Sequence, residues 1–433
     1  MQVLRLSLEK ERQIFMRKRF LSLLLIFLLL LCACGPLPTE EGDTSGPVTA
    51  ATETETLPPE TETSPEPTPE PTPEPTPEPA VKRISFLAAG DNVVHGCIYN
   101  EAKTRATADS REYNFMPIYE DVADLIAAAD IAFINQETPM GGAELGYSNY
   151  PRFNTPQDMG YTLQELGFDV VNIANNHMCD KGETGLRGTI EFLSSLEGIT
   201  LIGGHLSEED FMTIRVVEKE GVKIAFLAYT YGTNGLRLPT SSELYVPYID
   251  YDAIARQLEM AKELADLTFV SVHWGQENKF KPNDSQRDLA KFMAEHGADA
   301  IIGHHPHVIQ PIEWIETEDG RRTLCIYSLG NLISAMEHGY NMLGGFLTFD
   351  IVKEGDEAPY LDAPLFIPTA FYFADNWYST KLYLLENYDQ TLSLTHGTRR
   401  HGGVASREKM EEYLRDVMAP EFLPEAFRKT ADR

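Results

Sequence analysis

Cysteine is scarce in this chain, as are basic residues and long apolar runs. Only 5 of the 433 residues are cysteines, and two of these, Cys32 and Cys34, lie near the N-terminus. The other three, Cys97, Cys179 and Cys325, form no Cys-x-x-Cys pair and cannot all be paired with one another. The composition therefore excludes a disulfide-dense scaffold and a dithiol redox motif, and it predicts free, mostly buried thiols.

Basic residues are outnumbered by acidic ones, with 36 Lys and Arg against 66 Asp and Glu and a formal net charge of −30. Lys and Arg are absent from residues 35–80, which contain eleven acids, and the rest of the chain is also acidic. This charge argues against binding to nucleic acid and against a broad electrostatic attraction for a polyanion. An anionic ligand would have to be recognised locally, by a metal ion or by a few cations.

The one long apolar run covers residues 20–31 and is interrupted only by Ser22. It is shorter than a membrane-spanning helix, which needs about 20 residues, and basic residues precede it, as in an export signal. The sequence Leu31-Cys32-Ala33-Cys34 follows and resembles the cleavage motif of bacterial lipoproteins. We expect residues 1–34 to be a lipoprotein signal peptide and Cys34 to be lipidated. Membrane lipid would then anchor the protein to the extracellular face of the cell membrane.

Alternatives to this prediction remain open. Cys32 is a weaker lipidation site because the bulky Leu31 precedes it. An uncleaved anchor or an ordinary secretory signal would leave Cys34 unmodified. Met16 is an alternative start, because it also opens a signal peptide of ordinary length.

Residues 35–81 are predicted to form a disordered linker. The segment is rich in Pro, Thr and Glu, and residues 66–74 repeat with a period of four. Dense proline prevents helices and sheet ladders and favours an extended backbone of about 3 Å per residue. The linker would hold the following domain away from the membrane.

The most informative stretch is Gly303-His304-His305-Pro306-His307-Val308, which follows the apolar residues Ala300-Ile301-Ile302. A buried strand that ends in Gly and then His-x-His delivers two imidazoles to the rim of a sheet, where α/β folds build their binding sites. Neutral imidazole is a common protein ligand of transition metals. The alternative interpretation is a cluster of surface histidines.

Four further polar motifs follow apolar strands in the same way. They are Gly90-Asp91, Asn135-Gln136-Glu137-Thr138-Pro139, Ala174-Asn175-Asn176-His177-Met178-Cys179-Asp180-Lys181-Gly182 and Val272-His273-Trp274-Gly275-Gln276-Glu277. Each motif alone is weak evidence, because a strand-terminal Asp often caps a helix or forms a turn. A single His after a strand is more often a core residue. Together with the His-rich stretch, the motifs supply carboxylate, amide and imidazole ligands suited to two metal ions.

Between the motifs, apolar positions at helical spacing alternate with short apolar strands, as in α/β proteins. After residue 345 this alternation fades into antiparallel strands at residues 346–352 and 381–385. A terminal helix is predicted at residues 406–417. The other predicted helices cover residues 119–129, 157–166, 185–196, 251–265 and 285–296.

The order of the motifs, completed by Tyr327-Ser328-Leu329-Gly330-Asn331, resembles the CapA family of poly-γ-glutamate capsule biosynthesis proteins across residues 84–332. The resemblance implies an α/β fold related to the calcineurin-like metallophosphatases. That fold is a four-layer α/β/β/α sandwich with its site at the strand ends. We expect the domain to occupy residues 82–400 and a C-terminal helical tail to occupy residues 401–433.

The resemblance also implies a site for two divalent metal ions, with Mn, Fe or Zn as the expected metals. Glu137 would take the place of the carboxylate that bridges the ions, and Asp91 and His307 would hold the first ion. The ligands of the second ion would be Asn176, His273 and His305. His177 would donate a proton to the leaving oxygen, and Asp180 would orient the His177 ring.

Two features depart from the related enzymes. Their first motif is Asp-x-His, whereas this chain has Val93 in place of the His, so His95 either replaces it or points away. Their bridging Asp is Glu137 here, whose longer side chain alters the spacing between the ions. His304 is expected to be structural or to support a metal ligand, because only His305 and His307 have the His-x-His spacing.

Two classes of function follow, and whether the protein is an enzyme stays open. The first is a membrane-anchored hydrolase that acts on a phosphoester, or on an amide of polyglutamate or a cell-wall polymer. The second is a non-catalytic component that binds and exports poly-γ-glutamate beside a membrane synthase. The expected partners are therefore a polyanionic polymer or synthase subunits. A phosphoesterase of unrelated substrate is a further alternative.

Overall fold

The computed structural model describes residues 80–108 and 111–428. The predicted signal peptide, the lipidation site Cys34 and the linker up to residue 79 lie outside this range, as do residues 429–433 of the predicted tail. Inside the described range, the helices are too short or too polar to cross a membrane.

Two sheets form the centre of the described domain. Their strands are β1 (Val81–Asn92), β2 (Ile131–Gln136), β3 (Val170–Asn172), β4 (Thr200–Ile202), β5 (Arg215–Lys219), β6 (Val222–Thr230), β7 (Leu267–His273), β8 (Ala300–His304), β9 (Ile309–Glu316), β10 (Arg322–Leu329), β11 (Asn331–Ile333), β12 (Leu343–Glu354), β13 (Tyr360–Tyr372) and β14 (Lys381–Leu384). The first sheet has the order β14-β13-β12-β1-β2-β3-β4, with β11 beside β1. The second has the order β5-β6-β7-β8-β10-β9. Strands β1 to β4 are parallel, as are β6, β7, β8 and β10.

Helices cover the outer faces of the sheets. They are α1 (Gly96–Thr104), α2 (Met116–Tyr119), α3 (Ala123–Ala127), α4 (Asp158–Leu166), α5 (Gly182–Ser194), α6 (Glu208–Met212), α7 (Tyr251–Leu264), α8 (Asp284–Glu295) and α9 (Arg407–Val417). In α7 the buried residues Ile254, Leu258 and Ala261 recur at helical spacing, and this face contacts β6 and β7. Helix α8 begins with a capping box between Asn283 and Gln286.

The two sheets pack face to face through aromatic side chains. The ring of Phe86 on β1 lies 5.1 Å from Phe269 on β7 and 6.4 Å from Phe226 on β6, measured between centroids. Strands β2, β7 and β8 are buried along their whole length, as expected where a parallel sheet is covered on both faces. The architecture is therefore two facing sheets flanked by helices, and the predicted α/β sandwich is confirmed.

One helix differs from its prediction. Residues 119–129 form no single helix but parts of α2 and α3, separated by a turn in which the Val122 N–H bonds the Tyr119 carbonyl at 2.9 Å. The Asp121 carboxylate within this turn accepts the Leu384 N–H of β14 at 2.8 Å. This contact with a distant strand holds the chain in a turn where its apolar periodicity alone favoured a helix.

The three described cysteines are free thiols. Cys179 and Cys325 are buried, and Cys97 is half-buried. Burial raises the pKa of Cys97 to about 12, so this thiol stays protonated and unreactive at neutral pH. The prediction of free, mostly buried thiols is confirmed for these positions.

Candidate metal centre

The polar motifs meet because they follow parallel strands whose carboxyl ends share one edge. In the first sheet Asp91 pairs with Asn135, and Asn135 pairs with Asn172. In the second sheet His273 pairs with His304. The face-to-face packing of the sheets then brings the two sets of side chains together. The predicted ligands Asp91, Glu137, Asn176, His273, His305 and His307 are all buried at this edge.

Asp91 is surrounded by hydrogen-bond donors. Its Oδ1 accepts from Asn135 Nδ2 at 2.8 Å and from His304 Nδ1 at 3.1 Å. Its Oδ2 accepts the His305 backbone N–H at 3.2 Å and lies 3.2 Å from His307 Nδ1. Burial by itself would raise the pKa of Asp91, but the bonds from His304 and His307 outweigh it and hold the pKa well below its usual value. Asp91 is therefore a carboxylate at neutral pH.

Glu137 has the opposite surroundings. Its side chain is fully buried, and neither carboxylate oxygen has a hydrogen-bond partner among the described residues. Burial raises the pKa of Glu137 well above its usual value, although the nearby His307 opposes the shift. An unpaired buried carboxylate is costly, and a bound cation is the usual remedy. Glu137 thus fits a metal ion.

The spacing around Glu137 also fits. His273 Nε2 lies 2.9 Å from Asn176 Oδ1 and 3.9 Å from Glu137 Oε1. Two ligand atoms on one ion, each bound at about 2.1 Å, lie roughly 3 to 3.5 Å apart. Asp91, Glu137 and His273 each offer a ligand atom within 4.8 Å of the others. The imidazole of His273 is neutral, as a ligand must be, because burial first and His305 second lower its pKa well below its usual value.

A second group contains a residue that the sequence prediction left without a role. Glu277, His305 and His307 offer ligand atoms that lie within 4.8 Å of one another. Glu277 is exposed, whereas both histidines are buried. In the sequence, Glu277 is the last residue of the motif that ends Gly275-Gln276-Glu277. Nothing in that pattern distinguished it as a metal ligand.

His307 links the two groups. Its Nε2 lies 3.5 Å from Glu137 Oε1, and its Nδ1 lies 2.9 Å from Asn331 Oδ1. Burial lowers the pKa of His307, but Glu137 and Asp91 outweigh burial and raise it to about 10. Asp91 and Glu137 therefore favour a positive charge at this point.

The histidines after β8 lie in a strained turn. His305 has a φ of 95° and His307 a φ of 55°, both in the left-handed region that bulky residues avoid. Strain of this kind concentrates at functional sites. Gly303 precedes the turn, and a Cβ there would lie 2.1 Å from the Tyr327 carbonyl oxygen. The Gly therefore lets β8 and β10 approach closely beneath the site.

A series of hydrogen bonds between buried side-chain amides supports Asp91. These hydrogen bonds were not predicted by the sequence analysis. Asn172 Nδ2 donates to Asn135 Oδ1 at 2.8 Å, and Asn135 Nδ2 donates to Asp91 Oδ1 at 2.8 Å. All three side chains are buried. The three residues occupy paired positions on neighbouring strands, so these hydrogen bonds fix the orientation of the Asp91 carboxylate. Asn135 opens one of the motifs above, whereas Asn172 ends β3 outside them, so the sequence marked only the first of the two.

His304 and His95, which the sequence analysis did not count among the expected ligands, make other contacts. His304 donates to Asp91 and stacks on Phe133 with a centroid separation of 5.7 Å. His95 Nδ1 accepts the Ala335 backbone N–H at 3.1 Å. His95 belongs to neither group of metal-binding side chains found among the described residues.

His177 and Asp180 form a pair beside these groups. His177 Nδ1 lies 2.8 Å from Asp180 Oδ2, and Oδ2 also accepts the Phe153 backbone N–H at 2.8 Å. The His177 ring packs edge-on against Phe153, 4.9 Å away. The ring is thus fixed on one side by a carboxylate and on another by an aromatic face. This arrangement leaves Nε2 free for proton transfer.

Comparison with known proteins defines the class of protein. The family model "Bacterial capsule synthesis protein PGA_cap" matches residues 85–336, and the chain belongs to this family. The family prediction is confirmed.

Particular relatives are similar over part of their length. The PGA biosynthesis protein CapA of Bacillus subtilis is 34% identical over 231 residues, which cover 50% of this chain and 56% of CapA. The capsule biosynthesis protein CapA of Bacillus anthracis is 34% identical over 175 residues, which cover 40% of this chain and 41% of the relative. A probable polyglutamine synthesis accessory protein of Mycobacterium tuberculosis is 25% identical over 240 residues, covering 51% and 59%. The chain thus spans about half the length of the curated relatives it matches.

Two solved structures have a partly similar fold. The calcineurin-like phosphoesterase YfkN of Bacillus subtilis has a TM-score of 0.42 and 13% identity, covering 77% of this chain and 96% of that one. The NAD nucleotidase of Haemophilus influenzae has a TM-score of 0.42 and 11% identity, covering 79% and 57%.

Proposed function

We propose that this protein acts in the synthesis or export of poly-γ-glutamate capsule or of a cell-wall polymer, and that it carries a hydrolase-type site for two divalent ions. Family membership supports the role in capsule synthesis. The proposed metal site rests mainly on Glu137. Among the described residues, this buried side chain accepts no hydrogen bond, and it lies beside Asp91 and the imidazoles of His273 and His307, an arrangement that a bound cation would stabilise.

The family pattern would divide the ligands between two ions in a way that differs from the side-chain groups of the structure, which place His273 with Asp91 and Glu137. In the family pattern, the division is as follows. Asp91 and His307 would hold the first ion, and Glu137 would bridge. The second ion would be held by Asn176, His273 and His305. Bound there, the ions would polarise the scissile bond and lower the pKa of an attacking water.

The other polar side chains would position substrate and move protons. His177 Nδ1 lies 2.8 Å from Asp180 Oδ2, and this contact would orient the ring. Nε2 is then left to deliver its proton to the leaving oxygen. The packing of His177 against Phe153 keeps Nε2 at a fixed position, which proton transfer requires.

A non-catalytic role in polymer binding or export is the second candidate, and His95 favours it. His95 lies outside both groups of candidate ligands among the described residues, so the first site would be without the ligand that the Asp-x-His pattern supplies. A weakly held first ion would leave a binding site without hydrolytic power.

The variant Glu137→Gln separates these candidates. It keeps the shape of the side chain but removes the charge that two ions need, so we expect loss of at least one bound metal and of hydrolysis. Metal content is measured by elemental analysis, and hydrolysis is measured on γ-glutamyl polymers and on phosphodiesters. Surface polymer is measured in cells that depend on the protein. Full polymer output from Glu137→Gln would contradict the hydrolase and leave the binding role.

We further propose that Cys34 anchors the protein to the membrane. Cys34→Ala should release the protein from the membrane fraction or block its processing, whereas Cys32→Ala should leave both unchanged. Fractionation and metabolic labelling with a fatty acid measure the two effects. Normal processing and full membrane retention of Cys34→Ala would exclude a lipoprotein.

A further inference from the structure

A cavity of about 720 Å³ adjoins the candidate metal centre and is lined by the loop between β6 and α7. Tyr231 forms the boundary, because its ring lies 4.6 Å from that of His305 and 6.2 Å from that of His273. Farther along the loop, Asn234 accepts a hydrogen bond from Asn176 at 3.3 Å. The loop is therefore tied to three of the predicted metal ligands. A group bound in the cavity would lie directly beside the reacting group.

The cavity contains one charged side chain. Arg237 is the only Lys, Arg, Asp or Glu among its lining residues, and it is exposed. No hydrogen bond or ion pair connects Arg237 to any other residue that the structure describes. Arg215 and Arg321, by contrast, are paired with Asp210 and Asp319. The chain has a net charge of −30, which repels anions in general. The unpaired guanidinium of Arg237 would attract an anion at this one place.

The remaining walls are mainly aromatic and aliphatic. Tyr245 and Tyr248 line the cavity together with Leu236, Leu238 and Val246. A guanidinium binds carboxylate or phosphate oxygens through two parallel hydrogen bonds. The cavity therefore fits a unit that has an oxyanion at one end and methylene groups behind it.

A second cavity indicates that the ligand extends beyond one unit. It has a volume of about 410 Å³, is lined by residues that include His95, Tyr99 and Trp377, and shares no residue with the first cavity. Its residue His95 packs against Phe153, which packs against His177. Separate cavities that adjoin one centre suit a chain-like substrate better than a small ester.

We propose that Arg237 and the walls around it form a subsite for the oxyanion of the polymer unit adjacent to the reacting one. This inference rests on the proposed function and assigns the residue that selects the substrate. The carboxylate of a γ-glutamyl unit and the phosphate of a wall polymer share the chemistry that Arg237 recognises.

Equilibrium binding to purified protein tests the subsite, with a short γ-glutamyl oligomer and a glycerol phosphate oligomer as separate probes. Arg237→Gln should weaken binding roughly 10- to 100-fold, because a bidentate charge-assisted contact is lost. Arg237→Lys keeps the charge without the paired hydrogen bonds and should fall between. The matched control is Arg256→Gln, which removes the same charge from the exposed face of α7 outside the cavity and should bind like the wild type.

Each outcome has a distinct meaning. Weakening by Arg237→Gln alone supports the subsite, and the probe that is affected identifies the oxyanion. Unchanged binding by Arg237→Gln, or equal weakening by Arg256→Gln, overturns the subsite and leaves the proposed function standing. If the wild-type protein binds neither oligomer, the subsite and the polymer substrate both fail. Thermal unfolding of each variant confirms that the fold is intact.

Discussion

The double variant His305→Ala/His307→Ala is expected to bind no divalent metal under conditions that saturate the wild-type protein. The change removes both imidazoles of the His-x-His pair, one of which lies 3.2 Å from Asp91 and 3.5 Å from Glu137. Elemental analysis after dialysis measures the loss directly. Thermal unfolding gives a second measurement, because ligand at 100 times its Kd stabilises a folded protein by about 2.7 kcal/mol. Added metal should raise the Tm of the wild type and leave the Tm of the double variant unchanged.

The matched control is His338→Ala/His401→Ala, which deletes two exposed imidazoles that belong to neither ligand group. It should retain the full metal content and the metal-dependent rise in Tm. Histidine is more common than alanine at positive φ, so the Tm of the two double variants without metal measures the backbone strain that His305→Ala/His307→Ala adds. Equal metal content in the two double variants would show that the ions, if any, bind elsewhere.

The variant His177→Ala is expected to lower turnover by roughly 10²- to 10⁴-fold, the usual contribution of a positioned acid. Metal content should not change, because His177 lies outside the predicted ligand set and bonds to Asp180 rather than to Asp91 or Glu137. Asp180→Asn should reduce turnover less, since it weakens the orientation of the ring without deleting it. Substrate hydrolysis by metal-loaded protein measures both variants.

The pH dependence distinguishes an acid catalyst from a structural residue. Loss of a proton donor should remove the alkaline limb of the rate profile, whereas a change in packing against Phe153 would lower the rate equally at every pH. His296→Ala, which alters a half-buried histidine at the end of α8, serves as the control. If His177→Ala supports normal surface polymer in a cell that depends on the protein, the enzyme hypothesis is wrong and the binding role remains.

The ends of the parallel strands could be predicted from the sequence because local chemistry marks them. A run of apolar residues that stops at a Gly-Asp or Gly-His pair marks the end of a buried strand, since polar side chains that follow it need partners or a bound ion and so collect in a site. This is why Asp91, Glu137, His273 and the His-x-His pair could be recognised one motif at a time. The α/β class followed from the alternation between those strands and apolar stretches at helical spacing.

Other features depend on which strands become neighbours, and no local pattern contains that information. The bonds from Asn172 to Asn135 and on to Asp91 require β1, β2 and β3 to lie side by side. The turn at Asp121 is held by β14, which lies more than 250 residues later in the chain. The periodicity of apolar residues reports only the local preference of a segment. It therefore cannot predict one hydrogen bond to a residue that is distant in the sequence.

The sequence by itself determined the ligand types, their order and the strands that carry them, because these follow from composition and apolar patterning along the chain. Only the tertiary structure decided that Glu137 has no hydrogen-bond partner within residues 80–108 and 111–428, that Glu277 joins His305 and His307, and that Arg237 faces a cavity beside them. The physical reason is distance along the chain. The two sheets contribute side chains separated by more than two hundred residues, and their spacing is set by how the Phe86, Phe226 and Phe269 rings pack between the sheets.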